Sequence, residues 1–127
     1  DAVRRLVEEH WPVWATELDL ALAAGTVAVA VAQGPHGPDA VGFCAHSTLR
    51  DGWIGPMGTH PRARGRGVAA AALSVVCADL AQHGRERAEV AWVGPVGWFA
   101  DRGARTSRVF LRLRRDLRTP SPLSPPA

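Results

Sequence analysis

The sequence predicts a mixed α/β domain, a sheet with helices on both faces. Three observations carry this. Two helical patterns open the chain. A run of alternating apolar segments broken by Gly/Pro turns follows over residues 26–60. A long Ala-rich helix then leads into a further strand pattern. Strands joined by turns pair antiparallel, whereas a helix between two strands makes a crossover to a parallel neighbour.

Each element has its local reason. Residues 2–11 place Val3, Leu6, Val7 and Trp11 on one helical stripe. Pro12 interrupts it and is suited to open a second helix, which carries Trp14, Leu18, Ala21 and Leu22 to Gly25. Residues 26–33 alternate Val and Ala, with Val27, Val29 and Val31 on one face. The turn GPHGPD (34–39) returns the chain into a second strand, 40–47. A third strand, 53–60, holds Gly55, Pro56 and Gly58. Pro has no N–H for a ladder, so a bulge or splayed edge is expected there. The helix 68–84 ends at Gly84, and 87–94 reads as a fourth strand. Residues 95–104 read as a short helix or turn. Residues 106–117 alternate through Val109, Leu111 and Leu113 as a final strand. The tail, 118–127, holds four prolines in ten residues and reads as disordered.

Composition limits the function. A chain of 127 residues is one domain by length. It has 15 Arg and no Lys, no Asn or Tyr, one Ile and 22 Ala. That is the bias of GC-rich codons. The missing Lys excludes a P-loop or a Schiff-base site, and the missing Tyr excludes a tyrosine acid. A net charge of +3 is modest, so nucleic acid gains little from it. Cys44 and Cys77 lie in apolar stretches without ligand spacing, which reads as two buried small residues and no metal site. No apolar run is long enough to span a membrane and no signal peptide is evident. A cytoplasmic location is expected. The start at Asp1 suggests a fragment of a longer chain.

The informative segment is Pro61-Arg62-Ala63-Arg64-Gly65-Arg66-Gly67-Val68-Ala69, between a strand and a long helix. Glycines let backbone N–H groups converge on an anion, the helix start adds unpaired donors, and arginines add countercharge. The pattern is a phosphate or pyrophosphate cradle. A Rossmann fingerprint fits poorly, because a hairpin precedes the glycines and the next strand ends in Val93-Gly94 rather than an acid. The arginines at 112, 114 and 115 lack interleaved aromatics for stacking on bases.

Arg64-x-x-Gly67-x-Ala69, with Pro61 before it, resembles the coenzyme A signature of the GNAT superfamily of N-acetyltransferases, and the element order follows that family over most of residues 1–117. The resemblance implies a GNAT-like mixed sheet of five to six strands, splayed at the cofactor slot, with the family's first strand missing before Asp1. It implies acetyl-CoA as cosubstrate, no metal, and transfer of the acyl group to a primary amine of a small molecule or peptide. Partners implied are a second copy of the chain or an upstream domain, with no nucleic acid and no membrane. The amides of Arg64, Gly65, Arg66, Gly67, Val68 and Ala69 would hold the pyrophosphate, with Arg62 a further contact. Backbone groups of Met57, Gly58 and Thr59 would pair with the pantetheine arm.

The family's catalytic pair is not repeated. Strand 53–60 has no carboxylate. The stretch Trp98-Phe99-Ala100-Asp101-Arg102-Gly103 resembles the family's Phe-Tyr-x-x-x-Gly, with Phe99 at the tyrosine. Phenylalanine has no proton to give. Candidates for the base are Glu89 and His46, with His60 and Asp51 behind them, and no acid is identified. The alternative is a degenerate coenzyme-A-binding module that supports a partner domain. Trp11, Trp14, Trp53 and Trp92 fit either an acceptor pocket or the core.

Overall fold

A computed structural model describes residues 2–118. The chain divides into two units, one ending at Val93 and one beginning at Gly94.

In the first unit, α1 runs Ala2–His10 and buries Val3, Leu6 and Val7. Pro12–Trp14 form a 3-10 turn rather than the first turn of the next helix. Helix α2, Ala15–Ala24, then buries Leu18 and Ala21. It stops at Gly25, whose φ of +71° is the left-handed conformation a helix end favours. The amide of Gly25 donates to Leu22 and that of Thr26 to Ala21, a Schellman closure.

The sheet has four strands in the order β1-β2-β3-β4. They are β1 Val27–Gly34, β2 Gly37–His46, β3 Trp53–Thr59 and β4 Glu89–Val90. The first three pair antiparallel and β4 is parallel to β3. The bulge expected around Pro56 is present. Cys44 pairs with Met57 and His46 with Ile54, so β3 carries an extra residue at Gly55-Pro56. A cis peptide joins those two residues.

Helix α3, Val68–Gln82, covers one face of the sheet. Adjacent residues of β2 serve opposite cores, since side chains alternate across a strand. Phe43 packs with Val3, Leu6, Val7 and Leu18. Cys44 packs with Ile54, Ala72, Val76 and Leu80. Phe43, Leu18, Val7, Val76 and Cys44 are the largest fully buried side chains. Each such apolar residue contributes on the order of 1.5–3 kcal/mol. On the edge strand β1, Val27 is packed into a core but Val29 and Val31 are exposed, so the alternating face is covered only at its start.

Two strands differ from expectation. The 87–94 strand shrinks to Glu89–Val90, because Trp92 turns to φ +53°, outside the extended region. The second unit contains α4, Val96–Ala100, in which Phe99 is buried and meets Trp98 edge-on. Arg102 lies over the Trp98 ring at 3.8 Å. Residues 106–117 form no strand, and Val109, Leu111 and Leu113 are 80%, 88% and 92% exposed. A period-two pattern becomes a strand only where a neighbour supplies a ladder. The described sheet therefore has four strands, not five to six. The proline-rich tail, apart from Arg118, lies outside the described residues.

Candidate functional site

The cradle segment folds in three steps. His60 ends β3's run, and its amide donates to Val41, tying the segment to β2. Pro61–Ala63 form a 3-10 turn that His60 caps, its Nδ1 accepting from the Arg62 amide at 3.0 Å. Ala63 is buried and anchors the turn. Gly65 and Gly67 then take φ of +76° and +77°, and α3 begins.

Gly67 is the N-cap of α3, and no side chain caps it. Its carbonyl accepts the first helical bond, from Ala71 at 3.0 Å. The amides of Val68, Ala69 and Ala70 are thus the helix's first-turn donors, which no intrahelical carbonyl reaches. Nothing lies within 4 Å of the Cβ positions at Gly65 or Gly67, so the loop is open above its backbone. Arg62, Arg64 and Arg66 are all exposed around it. Unpaired first-turn amides, a helix dipole and three exposed guanidiniums are features that attract anions. Val68 presses a methyl against Gly42 of β2, where a Cβ would collide, and this sets the start of α3 against the sheet.

The cradle leads directly into Met57, Gly58 and Thr59. Each is half-buried, and each pairs with β2 on one side. On the other side, the ladder between β3 and β4 consists of Trp53 with Glu89 and Ile54 with Val90. It stops there, so β3 and β4 part from Ile54 onward. One face of Gly58 lies under the Trp11 ring. Trp11 also stacks on Trp14, with centroids 5.7 Å apart. Both tryptophans border the core around Phe43. Trp53 is half-buried beneath Arg50, and Trp92 is 83% exposed.

The two base candidates sit at the other end of β3, about 17 Å from Thr59 along the strand. Glu89 is half-buried opposite Trp53, and its amide donates to the Gly52 carbonyl at 3.1 Å. His46 is buried opposite Ile54. Its Nε2 lies 2.6 Å from Asp79 Oδ2, and its Nδ1 lies 3.0 Å from Ser47 Oγ. Asp51 is ion-paired with Arg85 in the β2–β3 turn, and His60 meets His10 edge-on at 4.7 Å. Sequence reasoning missed Asp79 and Ser47. Asp79 lies on the α3 turn facing β2, 33 residues from its partner, and no local pattern marks such a pair.

One of the two cysteines departs from the expectation of burial. Cys44 is fully buried and burial pushes its thiol up to about 12. Cys77 is exposed on α3, with its thiol raised more modestly by partial desolvation. Both are free. Among the described residues no helix is long and apolar enough to cross a membrane, and no cluster of His, Cys, Asp or Glu is set to hold a metal ion.

Comparison with known proteins agrees with the architecture. AAC(6')-Iy, solved in complex with the bisubstrate analogue CoA-S-monomethyl-acetylneamine, superposes with a TM-score of 0.60 at 20% identity, over 91% of this chain and 90% of that one. An acetyltransferase of Trypanosoma brucei gives a TM-score of 0.60 at 16% identity, over 90% and 91% of the two chains. No curated protein sequence matches. The sequence pattern of the acetyltransferase (GNAT) family matches residues 2–95 of the 127, and the chain therefore belongs to that family.

Proposed function

We propose that this acyltransferase-family chain moves an acetyl group from acetyl-CoA to a primary amine of a small-molecule or peptide acceptor by direct attack. The observation that carries the proposal is the continuity of two features. An uncapped helix start with open glycines and three exposed arginines runs straight into a strand edge whose ladder stops at Ile54. The first suits a pyrophosphate and the second suits an extended amide-bearing arm. The acetyltransferase domain is assigned to residues 1–117.

In this reading the amides of Arg64 through Ala69 hold the pyrophosphate, with Arg62 beside them. Met57, Gly58 and Thr59 offer backbone groups to the arm. Acetyl-CoA supplies the acyl group as an activated thioester. The acceptor must lose a proton before its nitrogen attacks; the N–C bond then forms, the C–S bond breaks, and the thiolate takes a proton. Glu89 and His46 are the candidate bases. By the sequence resemblance Phe99 takes the place of the family's acid and cannot donate, so the thiolate takes its proton from water or from another group.

A titration of acetyl-CoA into the protein, followed by thiol release with a panel of amines, tests this. Binding is expected to weaken at least tenfold in an Arg64→Ala/Arg66→Ala double variant. Glu89→Gln and His46→Gln separate the two bases by which one lowers kcat. Absence of binding would overturn the proposal. Binding without thiol release would establish the second reading, a coenzyme-A-binding module without catalysis, which the phenyl ring of Phe99 favours.

A further inference from the structure

A second constellation lies at the far end of the sheet from the glycine–arginine loop. There the end of β2, the β2–β3 turn and the last turns of α3 line an open cleft of about 390 Å³. Its walls include Thr26, His46, Ser47, Asp51, Asp79 and Arg85. Inside it three side chains form one hydrogen-bonded chain. Asp79 Oδ2 lies 2.6 Å from His46 Nε2, and His46 Nδ1 lies 3.0 Å from Ser47 Oγ.

The chemistry of the partners limits where the protons sit. A carboxylate only accepts, so the short contact places the imidazole proton on Nε2. In the tautomer with its one proton on Nε2, Nδ1 carries a lone pair that can accept from the Ser47 hydroxyl. That hydroxyl has one proton and two acceptors within reach, His46 Nδ1 at 3.0 Å and Asp51 Oδ1 at 3.3 Å. Asp51 is already ion-paired with Arg85, which weakens its claim. The Gly52 amide donates to Ser47 Oγ at 3.0 Å and fixes the oxygen's position. One lone pair of the oxygen remains.

Two further observations set Ser47 apart from an ordinary loop serine. Its φ is +57°, a conformation that non-glycine residues rarely hold and that is frequent where a side chain must be aimed. The His46 ring behind it is buried, so water competes little for the imidazole. Nucleophile, base and orienting carboxylate, each within hydrogen-bond reach of the next, are the parts of an activated serine, recognised by geometry and not by chain order.

We propose that Ser47 is a nucleophile activated by His46 and held in line by Asp79, forming a hydrolytic site for small carboxylic esters at the far end of the sheet from the coenzyme cradle; with His46 so engaged, Glu89 is left as the base for acetyl transfer. Ser47 Oγ bonds the carbonyl carbon, its proton passes to His46 Nδ1, and the C–O bond to the leaving alkoxide breaks as that proton is returned to it. Water cleaves the acyl-serine by the same transfers, giving the acid and regenerating Ser47. The guanidinium of Arg85, on the same cleft wall and ion-paired with Asp51, is a cation available to the oxyanion. Asp79 acts through His46 and is a positioning residue.

The test uses the whole chain without coenzyme A, so its outcome is independent of the acetyl-transfer reading. Diisopropyl fluorophosphate and p-nitrophenyl acetate are the probes. One diisopropylphosphoryl adduct is expected from the fluorophosphate, located by mass spectrometry on the peptide containing Ser47. The adduct is lost in Ser47→Ala. Its rate falls at least tenfold in Asp79→Asn and partly recovers in Asp79→Glu. Thermal melts of each variant separate lost reactivity from lost folding. No adduct on the folded protein, an adduct at another residue, or an unchanged rate in folded Asp79→Asn would each overturn the proposal and leave the network as a clamp on the β2–β3 turn.

Discussion

The ring of Trp11 lies on the bare backbone of Gly58, so close that a Cβ there would stand 2.7 Å from both Cη2 and Cζ3 of the indole. The helical segment before the sheet is thereby seated on β3. Gly58→Ala is expected to destabilise the protein by about 1–3 kcal/mol, the usual cost of overpacking. A double-mutant cycle with Trp11→Ala checks the cause. Chemical denaturation should show that the Gly58→Ala cost shrinks once the indole is gone. An equal cost in both backgrounds would place the strain elsewhere.

Gly67 makes a different prediction. It has open space where a Cβ would go, but its φ is +77°. Gly67→Ala therefore costs conformational energy alone, roughly 1–2 kcal/mol. The loop should also shift, and acetyl-CoA binding measured by calorimetry should weaken more than for Gly94→Ala, where neither space nor φ opposes a methyl.

The two thiols should separate cleanly. Cys77 is exposed and Cys44 is fully buried. A thiol reagent at neutral pH should modify one group in the native state and a second only on unfolding, read by mass spectrometry. Native modification of Cys44 would contradict its burial.

Cys44 also predicts alkaline behaviour. Burial raises its thiol from 9.0 to about 12. The unfolded chain then loses this proton near 9 while the folded chain keeps it. The contribution to stability is intact below pH 9 and declines as the pH rises toward 12, by about 1.4 kcal/mol per unit. Denaturation midpoints followed from pH 8 to 11 should fall less steeply in Cys44→Ala than in the parent.

Phe43 is buried at the centre of the core beneath α1 and α2. Phe43→Ala should cost about 3–5 kcal/mol. Its loss should also loosen Trp11 and Trp14, whose rings lie 5.9 Å and 6.3 Å from it. A red shift in tryptophan fluorescence with an intact far-ultraviolet spectrum would report that.

What the sequence determined by itself is local. The stripe of Val3, Leu6 and Val7, the stop at Gly25, the bulge at Pro56 and the glycine–arginine turn before α3 are each set by a few consecutive residues, through side-chain period, a fixed φ or a missing N–H. Tertiary structure decided what depends on a partner far along the chain. Residues 106–117 have a strand's alternation but no ladder in the described structure, and alternation alone does not form one. The sequence marks His46 only as a candidate base, and its burial and short contact with Asp79, on a helix 33 positions later, have no local signal. Cys77 read as buried from its apolar neighbours, and the phase of α3 turns it outward. A strand's pairing and a helix's rotation are set by what packs against them, and neighbours in sequence carry no record of that.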